Sequence, residues 1–378
     1  MSRHYDVAVI GLGAMGSAAC YHLASRGARV LGLEKFDIPH GNGSSHGYSR
    51  MIRMAYREHP DYVPLVKSAF SLWQQLEIES GQKLMHVTGA LYMGPIDGVY
   101  VGGALNSARK YSLPFELLDR DSLRQRYPQF QVPESFVGML EQNAGFILPE
   151  KAVATHALLA LRRGAELHGQ EPVVRWSEDD SGVQIVTERG TYHADQAIFC
   201  GGSWTDRLVT DLGIPLRVTR QVLGWVWPKT PEAFELGRIP AWAIDNEDGS
   251  NHYGFPMTPD SPGFKLAHNG LGATATPETI VRSIMPGDEG TFREMLKKKI
   301  PDADGPLLSL RICLYTNSPD RYFIIDRHPR HSRVLLACGF SGHGFKFATV
   351  IGKVLADLSI ERKTEHPIGF LGLSRFKR

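Results

Sequence analysis

The stretch Tyr5-Asp-Val-Ala-Val-Ile10-Gly11-Leu-Gly13-Ala-Met-Gly16 decides the fold. Its short apolar run suits a strand buried in a parallel sheet, and the glycine turn leads into a helical pattern that runs through Arg26 and stops at Gly27. Arg29 to Leu33 is expected to form a second strand, ended by Glu34. Strand, Gly-x-Gly-x-x-Gly turn, helix, strand and an acid eighteen residues past the last glycine together make the dinucleotide-binding fingerprint in its required βαβ setting. Gly11 permits the tight turn, Gly13 lets backbone approach a pyrophosphate, Gly16 lets helix pack on strand, and the helix N-terminus offers positive potential. Glu34 is placed to accept ribose hydroxyls. NAD and FAD share the ADP half that such a unit binds, so these residues leave the choice between them open.

Working outward, 378 residues at roughly 150 per domain suggest two cooperating domains. The 42 Lys and Arg nearly balance 40 Asp and Glu, and no block of five like charges occurs, which argues against nucleic acid or an anionic membrane as partner. No stretch approaches the ~18 consecutive apolar residues of a membrane helix. A structural strand already begins at Tyr5, where a signal peptide would have its apolar run, so export is not expected. Cys20, Cys200, Cys313 and Cys338 are widely spaced without a CxxC or Cys/His cluster; this argues against a zinc ribbon or disulfide framework and for a reducing, cytoplasmic setting. No metal is expected, and the basic tail Leu373 to Arg378 is not a peroxisomal Ser-Lys-Leu address.

Helices are expected over Asp61 to Glu79, Lys151 to Leu167, Glu289 to Lys299 and Phe345 to Leu358. Strands are expected over Val183 to Thr187, Thr191 to Cys200 and Arg333 to Phe340, with an antiparallel sheet in Arg217 to Tyr253. Thr191 to Cys200 feeds Gly201-Gly202-Ser203-Trp204, and Arg333 to Phe340 feeds Gly339-Phe-Ser-Gly342-His-Gly344. Glycine turns between strand and helix at both chain ends imply one discontinuous nucleotide-binding domain, residues 1–82, 147–215 and 320–378, with a substrate domain built from 83–146 and 216–319. The fold class is α/β (α+β overall), a Rossmann-like domain with an inserted, mainly antiparallel sheet.

Gly43-Ser-Ser-His46-Gly47 satisfies the G-x-S-x-G hydrolase pattern, but Ile38-Pro-His-Gly precedes it where an elbow needs a strand. Arg50 and Arg53, taken alone, read as a solvated face. Lys346 sits at a helix start, where a cation opposes the dipole; it either bends into solvent or, with Arg53, clamps a carboxylate. Lys265 alternates against Phe264, Leu266 and His268, with its own direction undetermined. Cys313 between apolar neighbours reads as an inert core thiol.

The chain resembles the monomeric sarcosine oxidase and N-methyl-tryptophan oxidase family of flavoenzymes over almost its whole length. The resemblance rests on the N-terminal fingerprint, Gly43-Ser-Ser-His-Gly through Arg50 and Arg53, Tyr253-Gly-Phe-Pro256, Lys265, Cys313-Leu-Tyr315, Phe323-Ile-Ile-Asp326 and Gly339-Phe-Ser-Gly-His-Gly-Phe-Lys346. It implies FAD, with Cys313 at the position that bonds covalently to the flavin, overriding the inert-thiol reading. It implies that Arg53 and Lys346 hold the substrate carboxylate, that Tyr253, His268 and Tyr315 surround the substrate, and that Lys265 activates oxygen. Arg50 and His46 would lie by the flavin, and Gly202, Trp204, Gly342, Gly344 and Lys346 would contact the cofactor. Where the family shows Gly-Ser-His-His-Gly-Asp-Thr this chain has Gly43-Ser-Ser-His-Gly-Tyr-Ser49, which changes the polarity beside the flavin.

The resemblance therefore implies a monomeric oxidase that converts an N-methyl amino acid and O2 into the demethylated amino acid, formaldehyde and hydrogen peroxide. The alternatives are an oxidase of a bulkier or cyclic secondary amino acid such as N-methyl-tryptophan or pipecolate, a dehydrogenase that avoids O2, an NAD-dependent dehydrogenase, and a non-catalytic FAD-binding subunit. The last would have no need of Arg53, Lys265, Cys313 and Lys346 together.

Overall fold

In the computed structural model, residues 4–246, 248–270 and 272–376 are described, and Lys377 and Arg378 of the basic tail lie outside them. The apolar run His4–Ile10 is a strand, paired in parallel with Val30–Leu33 on one side and Thr191–Phe199 on the other. Glu166–His168 extends the parallel sheet beyond Val30–Leu33, and Val334–Cys338 pairs in parallel with the end of Thr191–Phe199. N-terminal, central and C-terminal segments thus share one eight-stranded sheet, completed by the antiparallel strands Val173–Asp179, Gly182–Thr187 and Ile324–Arg327.

Small residues let two helices close over this sheet. Ala14–Ala24 buries Gly16, Ser17, Ala18 and Ala19, and Gly352 of the helix Ala348–Ile360 comes so near that an added Cβ would stand 2.6 Å from the Ala18 backbone. This contact joins the two ends of the chain. No helix among the described residues is long and apolar enough to cross a membrane.

Two expected elements differ. The helix read over Lys151 to Leu167 runs Pro149–Arg162; Gly164 then turns at φ +86°, and Glu166–His168 is a strand because the edge of Val30–Leu33 offers it a ladder of hydrogen bonds. The helix read from Phe345 opens as a 3-10 turn, Phe345–Phe347, before Ala348–Ile360. Val173–Asp179 escapes a pattern reading because it is largely exposed and mixes apolar with charged residues.

The second large sheet has nine strands, drawn from residues 90–141, 217–275 and 307–317; only Ala90–Gly94 with Ala241–Asp245 is parallel. Its two faces differ in character. Trp242, Phe264, Leu266 and Leu314 face a hydrophobic core with Phe292 and Leu296 of the helix Gly290–Lys299. Cys313, Tyr315, Trp225 and Ala267 pack together on the opposite face with Tyr48 and Tyr253. A three-stranded sheet, Arg50–Ile52, Gly145–Ile147 and Met85–Val87, lies between the segments that build the two large sheets. Arg50 and Arg53 are carried by its first strand and the residues just after it.

Candidate active site

A cavity of about 900 Å³ runs from the first glycine turn, past Gly43 to Ser45 and Arg50, to Leu314–Thr316 and the Gly339–Gly344 turn. Gly11 (φ +89°) is confined, since an added Cβ would lie 2.5 Å from the Cys200 carbonyl oxygen. Gly13, Gly202, Trp204, Gly342 and Gly344 line the cavity. Gly16 does not; its absent Cβ, 1.8 Å from the Gly11 carbonyl oxygen, is what allows helix and turn to touch. Glu34 accepts the Leu12 N–H on Oε2 at 2.8 Å and the Phe36 N–H on Oε1 at 3.0 Å, with His40 Nε2 3.4 Å from Oε1, so Oε2 keeps a second lone pair for a ribose hydroxyl. The Ala14 N–H donates to Ser45 Oγ at 3.1 Å and ties the 43–49 loop to the helix N-terminus. Length, a tight glycine cradle and an acid at one end fit an elongated dinucleotide.

The other end of the cavity gathers residues from distant segments. Arg50 donates to the Ser44 carbonyl at 2.9 Å, to the Ser49 carbonyl at 3.0 Å and to Cys313 Sγ at 3.4 Å. Cys313 is therefore a buried thiol whose sulfur accepts from the Arg50 guanidinium. Tyr253 and Tyr315 pack in one cluster, and burial raises both phenols, leaving them protonated. Lys265 faces this cluster, 1% exposed, and donates to the Gly47 and Ser49 carbonyls, both at 2.6 Å. Burial, then Arg50, pushes its pKa well below the ordinary lysine value. His46 is held neutral, near pKa 3, by burial and by Arg50, Lys265 and Arg311; its Nε2 contacts the Gly43 carbonyl at 3.1 Å and its Nδ1 is a buried atom without a hydrogen-bond partner. No strand precedes the 43–47 loop and no helix follows it, so there is no nucleophile elbow.

Arg53 and Lys346 come together around one ring. The Arg53 guanidinium carbon is 4.5 Å and Lys346 Nζ 5.2 Å from the centroid of Tyr56, 293 positions notwithstanding. Neither is solvated: both are buried, Arg53 bonds both oxygens of Glu58 at 2.9 and 2.8 Å, and Lys346 donates to the His343 carbonyl at 2.7 Å. Burial, then Arg53, lowers the Lys346 pKa to about 7. Burial pushes the Glu58 carboxyl up, but Arg53 and Arg57 outweigh it and hold the pKa below the ordinary range.

His268 does not join the cluster. Strand alternation turns it to the face opposite Lys265, where Nε2 contacts Ser250 Oγ at 2.8 Å and the ring lies 4.8 Å from His252. Asn269, paired with Asn251 at 3.0 Å, occupies the Lys265 face instead. Glu58, Tyr56 and Glu150 were missed by sequence reasoning. Glu58 follows Arg53 closely enough to have been suspected as its counter-ion, whereas nothing in the sequence links Glu150 to the loop at Gly47 that it touches.

Residues 6–358 match the family model described as FAD dependent oxidoreductase. The chain is 43% identical over 373 residues to the monomeric sarcosine oxidase of Streptomyces avermitilis, spanning 98% of this chain and 97% of the relative. It is 34% identical over 376 residues to the N-methyl-L-tryptophan oxidase of Salmonella agona, spanning 99% and 100%. Among solved structures, NikD, an unusual amino acid oxidase essential for nikkomycin biosynthesis, matches with TM-score 0.86 at 26% identity over 98% of both chains. L-proline dehydrogenase from P. horikoshii shares the fold, with TM-score 0.86 at 22% identity over 100% of this chain and 98% of that one. The chain belongs to the monomeric sarcosine oxidase and N-methyl-L-tryptophan oxidase family of FAD dependent oxidoreductases.

Proposed function

We propose that the protein oxidises N-methyl amino acids, sarcosine in the first place, at the carbon attached to nitrogen, releasing demethylated amino acid, formaldehyde and hydrogen peroxide. FAD, when bound, accepts the electron pair of that bond and hands it to O2. The carrying observation is that Arg50 and Tyr315 line one end of a dinucleotide-sized cavity while Cys313 and Tyr253 pack against them and Lys265 holds the adjoining 47–49 turn. The residues of the first glycine turn, with Glu34, Gly202 and Trp204, would hold the ADP half, and Gly342, Gly344, His46 and Arg50 the flavin half. The Cys313 thiol, beside Arg50, is the group we assign to covalent attachment.

Arg53 and Lys346 are assigned to the substrate carboxylate. A pair of fixed cations chiefly orients, aiming the N-methyl carbon rather than making or breaking bonds. Buried tyrosines around them exclude water, which favours the neutral amine that must give up electrons. Lys265 presents its ammonium where oxygen takes up charge, a role in which one electrostatic stabiliser is worth about 2.7–4 kcal/mol. The higher identity to sarcosine oxidases favours a small substrate over N-methyl-tryptophan or pipecolate. We assign the residue sets 1–82, 147–215 and 320–378, and 83–146 and 216–319, to cofactor and substrate domains respectively. We also propose a monomer, in line with the monomeric sarcosine oxidase relatives, in a reducing cytoplasm, which four unpaired, buried cysteines fit.

The test is a steady-state comparison of sarcosine, N-methyl-alanine, N-methyl-tryptophan, proline and pipecolate under air, reading peroxide and formaldehyde. Sarcosine should show the highest kcat/KM, with one formaldehyde per peroxide. Turnover of the cyclic substrates alone, without formaldehyde, would overturn the assignment.

A further inference from the structure

Tyr48 has φ +66°, and the Ser49 N–H donates to the Gly47 carbonyl at 2.8 Å across it. That is a γ-turn with positive φ, a rare and strained conformation for a residue with a side chain. Its effect is specific: the carbonyls on either side of Tyr48 both reach Lys265 Nζ. Two of the three ammonium donors are thereby spent, and one remains for an incoming group.

Something must hold the strained turn, and two contacts do so. Glu150, in the first turn of the helix Pro149–Arg162, accepts the Gly47 N–H at 2.5 Å and the Tyr48 N–H at 3.1 Å. The Tyr48 hydroxyl meets Arg311 at 2.5 Å and its ring stands edge-on to Trp225, centroids 5.7 Å apart. Gly47, at φ +99°, holds a conformation that strains any residue with a side chain. Glu150 makes no direct ion pair with Lys265. Its carboxylate grips the amides of the peptides whose flanking carbonyls grip the ammonium.

We propose that Glu150 is a positioning residue for Lys265: it locks the 47–49 turn so that its carbonyls fix the Lys265 nitrogen, and it places a carboxylate among the groups around that nitrogen. The proposal rests on the oxygen role assigned to Lys265. The charged and titratable groups around that nitrogen are Arg50 from the strand Arg50–Ile52, Arg311 and Cys313 from Leu307–Asn317, His46 from the loop, and Glu150 from its helix; Trp225 and Phe255 contribute only rings. Among them Glu150 is the carboxylate, opposed by two guanidinium groups.

The experiment compares Glu150→Gln, Glu150→Asp, Lys265→Met and the double variant E150Q/K265M of the flavinylated enzyme by stopped flow, following anaerobic reduction by substrate and reoxidation by O2 separately. Amide hydrogen exchange of residues 46–50 is measured alongside. E150Q should slow reoxidation about tenfold or more, leave reduction within about twofold, and make reoxidation decline at a lower pH than in the native enzyme, because loss of the anion destabilises the ammonium. Glu150→Asp should restore much of the rate. Exchange at Gly47 and Tyr48 should accelerate in E150Q, and E150Q should add nothing to K265M. Multiplicative slowing in the double variant, or fast native-like reoxidation in E150Q beside a slow K265M, overturns the proposal. If K265M itself reoxidises at the native rate, the oxygen role of Lys265 is what has failed. Should E150Q not fold, the Asp variant and the exchange rates of K265M still decide, since the turn must stay protected when Lys265 is gone.

Discussion

At the residue scale, Cys313 and the Arg53–Lys346 pair carry the sharpest expectations. Flavin should stay with the polypeptide after acid or denaturant precipitation, since a thioether survives unfolding, and Cys313→Ala should release it; a colourless pellet from flavin-loaded native protein would rule out the bond. In the folded chain Glu58 already occupies the Arg53 guanidinium. A carboxylate ligand must share or displace that contact. Neutralising Arg53 or Lys346 should weaken acetate-type inhibitors by about 1.5–3 kcal/mol, and the double variant should lose less than the sum because the two cations share one ligand. Glu58→Gln should act in the opposite sense and tighten binding, followed as a lower Kd by flavin absorbance. Additive losses, or equal losses for methyl-ester substrates, would return Lys346 to a structural role.

At the element scale, the approach of Ala348–Ile360 to Ala14–Ala24 holds the C-terminal glycine turn against the N-terminal one. The contact is backbone to backbone at Gly352, so no rotamer change relieves an added side chain. Gly352→Val should lower stability by about 1–3 kcal/mol, read as a lower denaturant midpoint at unchanged slope, with reduced FAD content in the purified protein. An unchanged midpoint would mean that the helices can shift apart without cost.

At the scale of the whole molecule, burial of neutral imidazoles makes stability depend on pH. His46 and His156 are held near pKa 3 and His252 near 4, first by desolvation, and then by Arg50 for His46, His22 for His156 and His268 for His252, with the Thr291 carbonyl opposing the shift at His252. Unfolded histidines take up protons below about pH 6.5 while these three do not, so the unfolded state binds more protons and stability rises with pH across that window. It is fully present above about 6.5 and is lost as pH falls toward 4, each histidine contributing at most about 1.4 kcal/mol per pH unit. Urea midpoints from pH 8 to 4.5 should show this decline, and His156→Leu should make it shallower; parallel curves would show that His156 contributes nothing to acid unfolding.

What the sequence determined by itself was local or tightly patterned. The run from Tyr5 to Glu34 specifies its βαβ unit because each step, apolar strand, glycine turn, small-residue helix and terminal acid, is decided by neighbours within a few positions. The resemblance implied that Arg53, Lys346 and Cys313 serve one site. Tertiary structure alone decided matters of direction and pairing. Lys265 and His268 sit three positions apart on one strand, and the two-residue period puts them on opposite faces, but only tertiary packing decided that Lys265 meets the 47–49 turn and His268 meets Ser250. Likewise the strand Glu166–His168 exists because Val30–Leu33 left an edge to pair with. Glu150 and Gly47 meet across 103 positions through a hydrogen bond that no local preference encodes.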